Sequence, residues 1–114
     1  MEKAYRIKKT TDFDKIIRKK QSFANRQFVM YYQKNNLEHM RLGISVSKKL
    51  GKAHERNKLK RYVRESFKTK KTTLSNYDII VIVRQMAVNM PFVEFDNSIN
   101  HILKKAKLYS GKRD

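Results

Sequence analysis

Between Tyr77 and Arg84 the chain reads Ile79-Ile80-Val81-Ile82-Val83, five β-branched residues with no polar alternate. A strand with one wet face alternates apolar and polar side chains. A run apolar on both faces predicts a central strand, covered on both sides along at least part of its length. The run is far too short to span a bilayer. The remaining elements must therefore supply its cover.

Two amphipathic helices are candidates for that cover. Phe13, Ile16 and Ile17 share one face of a helix predicted to run to about Lys20, and Thr11 with Asp14 reads as a capping box with Asp in the acidic slot. Phe92, Phe95, Ile99, Ile102, Leu103 and Ala106 recur at three- and four-residue steps in a last helix, with Asn89 as its cap and Pro91 in its first turn. The tail from Ser110 is predicted to fray.

Gln27 to Gln33 reads as a strand, with Phe28, Met30 and Tyr32 on one face and Val29 and Tyr31 on the other. Lys34 to Glu38 supplies a turn, and Arg41 to Ser47 the returning strand of a hairpin. Leu42, Ile44 and Val46 face inward there, while Gly43, Ser45 and Ser47 leave the backbone open on the other face. The expected architecture is α+β: a single domain over residues 1–114, with helices packed on a small sheet as a two-layer α-β sandwich. The order is α-β-β-(β)-α-β-α, leaving room for one further short strand.

Arg56-Asn57-Lys58-Leu59-Lys60-Arg61-Tyr62-Val63-Arg64-Glu65 belongs to a helix predicted from about Ala53 to Lys70. Leu59, Tyr62, Val63 and Phe67 fall on one side; Lys60, Asn57, Arg64, Lys68 and Arg61 gather on the adjacent side, with Arg56 at the seam. Solvated helices mix charge signs for i,i+4 pairing, whereas here only Glu55 and Glu65 oppose the cations. The whole chain carries 28 basic and 10 acidic residues, a net charge of +18, which raises self-repulsion unless a partner supplies counter-charge. That partner is nucleic acid, an anionic membrane surface or an acidic protein.

Catalytic readings fare poorly. There is no cysteine, so disulfides, cysteine-based metal sites and thiol nucleophiles are excluded, which fits a reducing cytosol. The N-terminus lacks the apolar stretch of a secretion signal, and the expected location is cytoplasmic. His39, His54 and His101 lie apart, without the spacing of a paired metal site. Asp12 and Asp14 read as helix-start residues, Glu55 and Glu65 as local charge partners, Asp78 as a strand-edge residue, and Glu94 and Asp96 as first-turn residues. No catalytic residue and no metal ligand is expected.

Nucleic-acid binding fits better. Lysines and arginines on the helix would neutralise phosphates and release counterions, and arginine adds a fork that matches phosphate oxygens. Asn57 contributes no field, so it either caps the helix start or makes a directed contact. Val29 and Tyr31 are left on an open sheet face that Phe13 and Ile17 can approach. Either they form an aromatic-lined cleft for a single strand, or the first helix packs down and fills that face.

The chain resembles the protein-subunit family of bacterial ribonuclease P over nearly its whole length. The matching blocks are Arg6-Ile7-Lys8-Lys9 with Asp12-Phe13, Ala24 to Val29, Arg41 to Gly51, the Arg56-Asn57-Lys58 helix matching the family's Arg-Asn-Arg signature, and Asp78 to Ile82. The resemblance implies an α-β sandwich of a type shared with certain ribosomal proteins, with a left-handed βαβ crossover. It also implies a ribonucleoprotein whose RNA subunit, with bound magnesium, removes the 5′ leader of precursor transfer RNA, the protein alone being inactive. The implied partners are ribonuclease P RNA and precursor transfer RNA, with no membrane and no obligate protein partner. On this resemblance Phe13, Val29 and Tyr31 floor a leader cleft, with Ile17 beside them, Lys48 and Lys49 at its edge and Arg6 at its periphery. The signature helix, with Arg56, Asn57, Lys58, Lys60, Arg61 and Arg64, faces the RNA subunit, which makes Asn57 a directed contact. Three residues depart from the family pattern: Lys58 for the second signature arginine, Lys52 for an expected Asn at the helix start, and Met86 for a proline. The alternative is a structural RNA-binding protein of ribosomal-protein-like fold with no role in cleavage.

Overall fold

The β-branched run takes the centre of the sheet. In the computed structural model, which describes residues 5–108, the strands are β1 (Ser22–Ala24), β2 (Phe28–Lys34), β3 (Arg41–Val46) and β4 (Tyr77–Val83), arranged β1-β2-β4-β3. The helices are α1 (Thr10–Arg18), α2 (Ala53–Lys68) and α3 (Phe92–Lys105). The order is thus α-β-β-β-α-β-α, the short extra strand being β1.

The expected hairpin between β2 and β3 does not form. β4 inserts between them, antiparallel to β2 with Met30 opposite Val81, and parallel to β3 with Ile44 opposite Val81. β3 alternates in polarity and β2 is deeply buried mainly on its Phe28 and Met30 face, whereas β4 is buried on both faces and gains most from the covered position. Ile79, Val81 and Val83 enter the main core with Phe28, Met30 and Leu42, under Leu59, Val63 and Phe67 of α2 and Phe95, Ile99, Ile102 and Leu103 of α3. Ile80 points to the opposite face, into a smaller cluster with Ile7 and Ile16 against which Phe13, Ile17, Tyr31 and Ile82 pack. The sandwich of sheet against α2 and α3 therefore carries α1 as a short cover on its other face.

Local signals shift at the helix ends. α1 begins at Thr10, with Lys9 at the N-cap and no side-chain cap, so the expected capping box of Thr11 and Asp14 is absent. Ile7 N–H donates to Leu42 O at 3.0 Å, tying the incoming segment to the edge of β3, and the helix starts two residues earlier than the Thr11 cap predicts. The helix stops at Arg18, short of Lys20, which has φ 57°. α2 likewise stops at Lys68 rather than Lys70. α3 has Pro91 at the N-cap rather than in its first turn, and Asn89, at φ 71°, belongs to the preceding loop. The tail expected to fray from Ser110 lies outside the described residues.

Candidate nucleic-acid interface

The register of the sheet orders its α1-side face into rows. Gln33, Asp78 and Arg41 form one row; Ser22, Tyr31, Ile80 and Gly43 the next; Ala24, Val29, Ile82 and Ser45 a third. α1 lies over the first two. The Phe13 ring packs on Gly43 so closely that a Cβ there would stand 2.7 Å from Cζ. Gly43 is buried, so the backbone expected to be open at this point is covered. Beyond α1 the third row emerges, with Val29 and Ile82 half-buried and Ala24 and Ser45 exposed. Four strands at about 4.8 Å spacing make this strip roughly 14 Å across.

Cations border the strip. At the sheet end next to it stand Arg26 before β2, Arg84 after β4, and Lys48 and Lys49 after β3, all exposed. Arg84 is oriented by donating from Nη1 to Asn25 O at 2.9 Å. Lys48 and Lys49 sit in a 3-10 turn capped by Ser47, whose Oγ accepts from Lys49 N–H at 3.2 Å. Ile82, Ser45, Arg26 and Arg84 are missing from the sequence-predicted site, because their place beside Val29 depends on which strands are neighbours.

A second concavity lies at the β3 edge. A groove of about 210 Å³ is lined by Arg6, Lys8, Phe13, Ile44, Lys60 and Arg64, among others. It brings the predicted cleft residue Phe13 together with two cations of the predicted signature helix. Burial, and then the charge of Arg6, lower the pKa of the Arg64 guanidinium.

The helix divides its polar residues. Lys60 and Arg64 turn to this groove, and Asn57 and Arg61 are exposed on the outer face. Lys58 turns to the opposite flank, with Nζ 5.5 Å from the centroid of the Tyr62 ring. Arg56 is half-buried and donates from Nε to Gly51 O at 3.2 Å, holding the loop that carries Lys48 and Lys49 against α2. Lys52 is the N-cap of α2, so Asn57 does not cap it; Glu55 supplies the missing cap by accepting Lys52 N–H at 2.8 Å. Gly51 precedes it at φ 148°, a conformation suited to glycine, under the Glu55 side chain.

Three acids expected to be incidental are structural. Asp78 is buried and accepts from Arg41 Nε at 2.9 Å and Nη2 at 2.7 Å and from Asn35 Nδ2 at 2.7 Å. Burial alone would raise its pKa, but the hydrogen bonds from Arg41 and Asn35 outweigh it and leave it below the usual carboxylate range. Asp12 reaches Arg41 Nη1 at 3.4 Å, joining α1 to the same network. Asp96 pairs with the buried Lys70 at 3.0 Å and accepts from Ser66 Oγ at 2.5 Å, locking α3 to α2.

A basic α+β domain with a half-open apolar row, bordered by cations and set beside a cation-bearing helix, has the features of a class: small RNA-binding proteins. A family model described as Ribonuclease P matches residues 1–107. The ribonuclease P protein component of Staphylococcus haemolyticus is 54% identical over 112 residues, 98% of either chain. The solved Staphylococcus aureus RNase P protein superposes with a TM-score of 0.87 at 55% identity, covering 94% of this chain and 99% of that one. That of Thermotoga maritima gives 0.79 at 36% identity, over 88% and 96%. The chain belongs to the bacterial ribonuclease P protein family, the protein component of an endoribonuclease that processes the 5′ leader of precursor transfer RNA in association with ribonuclease P RNA.

Proposed function

We propose that the half-open row of Val29, Ile82, Ala24 and Ser45 is where the single-stranded leader lies, walled by Phe13, Ile17 and Tyr31. The observation that carries this reading is the row itself: an apolar strip left beside a helix and bordered by cations, in a chain with few acids. Bases rest on apolar and aromatic side chains, while Lys48, Lys49, Arg26 and Arg84 follow the phosphates. Arg6, Lys60 and Arg64 continue the positive track toward α2, whose outer face, with Asn57 and Arg61, meets the RNA subunit. Arg56 contributes mainly by holding the loop.

The chemical step belongs to the RNA subunit in this reading. Among the described residues no three His, Asp or Glu side chains gather so as to hold a metal ion. In this reading the magnesium is held mainly by the RNA subunit. The protein positions the leader and screens the repulsion between two RNAs. Among the described residues no helix is long and apolar enough to cross a membrane, and we place the reaction in the cytoplasm with its transfer RNA precursors.

Reconstitution tests the reading. The protein, a bacterial ribonuclease P RNA and a precursor transfer RNA are combined near physiological salt and low magnesium. Cleavage at the mature 5′ end is expected only with both subunits. Failure to stimulate the RNA would sink the proposal, and cleavage by the protein alone would overturn the assignment of chemistry to RNA.

A further inference from the structure

On the flank of α2 opposite to Lys60 and Arg64 lies a cavity of about 210 Å³, lined by His54, Glu55, Lys58, Leu59, Tyr62, Val88, Asn89 and Met90. Its volume is that of about seven water molecules in the liquid. The walls divide by chemistry. Leu59, Val88, Met90 and Tyr62 are apolar or aromatic; Lys58 and His54 stand at the solvent side, and both are exposed. Asn89, held at φ 71° in the loop before α3, adds an exposed amide with both donor and acceptor. Tyr62 is rigidly set, packing edge-on against Phe92 at 5.3 Å and Phe95 at 5.4 Å.

We propose that this cavity receives one unstacked base of the catalytic RNA. Aromatic and apolar walls suit a base, an amide can read its edge, and a lysine at the mouth meets the phosphate that follows. The net charge of +18 favours RNA over an apolar peptide as the occupant, and Lys58 supplies the cation at a mouth that it shares with Glu55. The RNA subunit is the source rather than the leader, because the sheet separates this cavity from the half-open row. The inference rests on the RNA subunit being the partner. It gives Lys58 a separate task from the rest of the signature helix: a positioning residue at the mouth of a base pocket.

The test fills the cavity without removing a cation. Met90→Trp is compared with wild type in assembly with ribonuclease P RNA, and thermal unfolding monitored by circular dichroism establishes that the variant folds. The variant is expected to bind the RNA about tenfold more weakly, within the range of one lost base–aromatic stack. The preference of the assembled holoenzyme for precursor over mature transfer RNA should stay unchanged. Lys58→Gln, which keeps the chain length and leaves the core intact, gives a second readout through a smaller salt dependence of assembly. As a direct probe, adenosine monophosphate should shift the NMR resonances of Tyr62 and Met90 where inorganic phosphate does not. Wild-type affinity in both variants, or equal shifts from phosphate, overturns the pocket. If wild-type protein itself does not bind the RNA, the partner assignment fails instead.

Discussion

Gly43 shows how much of the interface depends on a single missing side chain. A Cβ there would meet Phe13 at 2.7 Å, so Gly43→Ala must push the ring outward over the third row. The expected cost in stability is about 1–2 kcal/mol, because the ring is half-buried and has somewhere to go. The loss in precursor binding relative to mature transfer RNA should match that of Phe13→Ala and Tyr31→Ala, and equal losses on both RNAs would speak against a leader cleft. Asp78 carries a different burden. Asp78→Asn is expected to lose about 3 kcal/mol, near the low end for a broken buried pair, because Arg41 keeps Asp12 and some water. Since the folded pKa is depressed, the stability this carboxylate contributes is complete above its unfolded value of about 3.9 and fades as pH falls through that value toward the folded one. Urea unfolding between pH 3 and 6 should show that acid-side slope in wild type and a shallower one in the variant. Which face Phe28, Met30, Val29 and Tyr31 take was legible from alternation. The role of Asp78 was not, because its partner Arg41 lies 37 positions away and nothing local marks the pair.

At the level of elements, α2 presents different surfaces to different neighbours. Arg61 projects from the outer face, whereas Arg64 lines the groove that also holds Phe13 and Arg6. Arg61→Ala should lower the salt slope of RNA-subunit assembly by about 0.7 to 0.9 per lost phosphate contact and leave leader discrimination intact. Arg64→Ala should change both assembly and leader discrimination. If the two variants behave alike in filter-binding across a salt series, the division of the helix is wrong. Periodicity made the buried stripe of Leu59, Val63 and Phe67 legible. It grouped Lys60 and Arg64 with Arg61 because a helical wheel records angle but not what packs beside each flank. The strand order escaped the sequence for a similar reason. Alternation tells which way a side chain points and is silent on which strand lies next to which, so β2 and β3 read as a hairpin while β4 sits between them.

For the whole molecule, the excess of positive charge is both the means of binding and a load on the fold. An anion that binds only the folded state stabilises by mass action, about 2.7 kcal/mol at a hundred times its dissociation constant. The melting temperature should therefore rise by several degrees or more with a short single-stranded RNA, and much less with chloride at equal ionic strength. A melting temperature indifferent to the anion would mean that the cations are not strained by one another. The placement of β4 carries a consequence for how such a chain is made. During synthesis β2 and β3 emerge early and β2 can pair with β1, yet neither has the neighbour they share until Tyr77 to Val83 has left the ribosome, some three-quarters of the way along the chain. Until then the strands offer two unpaired edges and α2 has no finished sheet to rest on. The nascent protein must stay open through most of its translation and then close late, in one cooperative step, around its central strand.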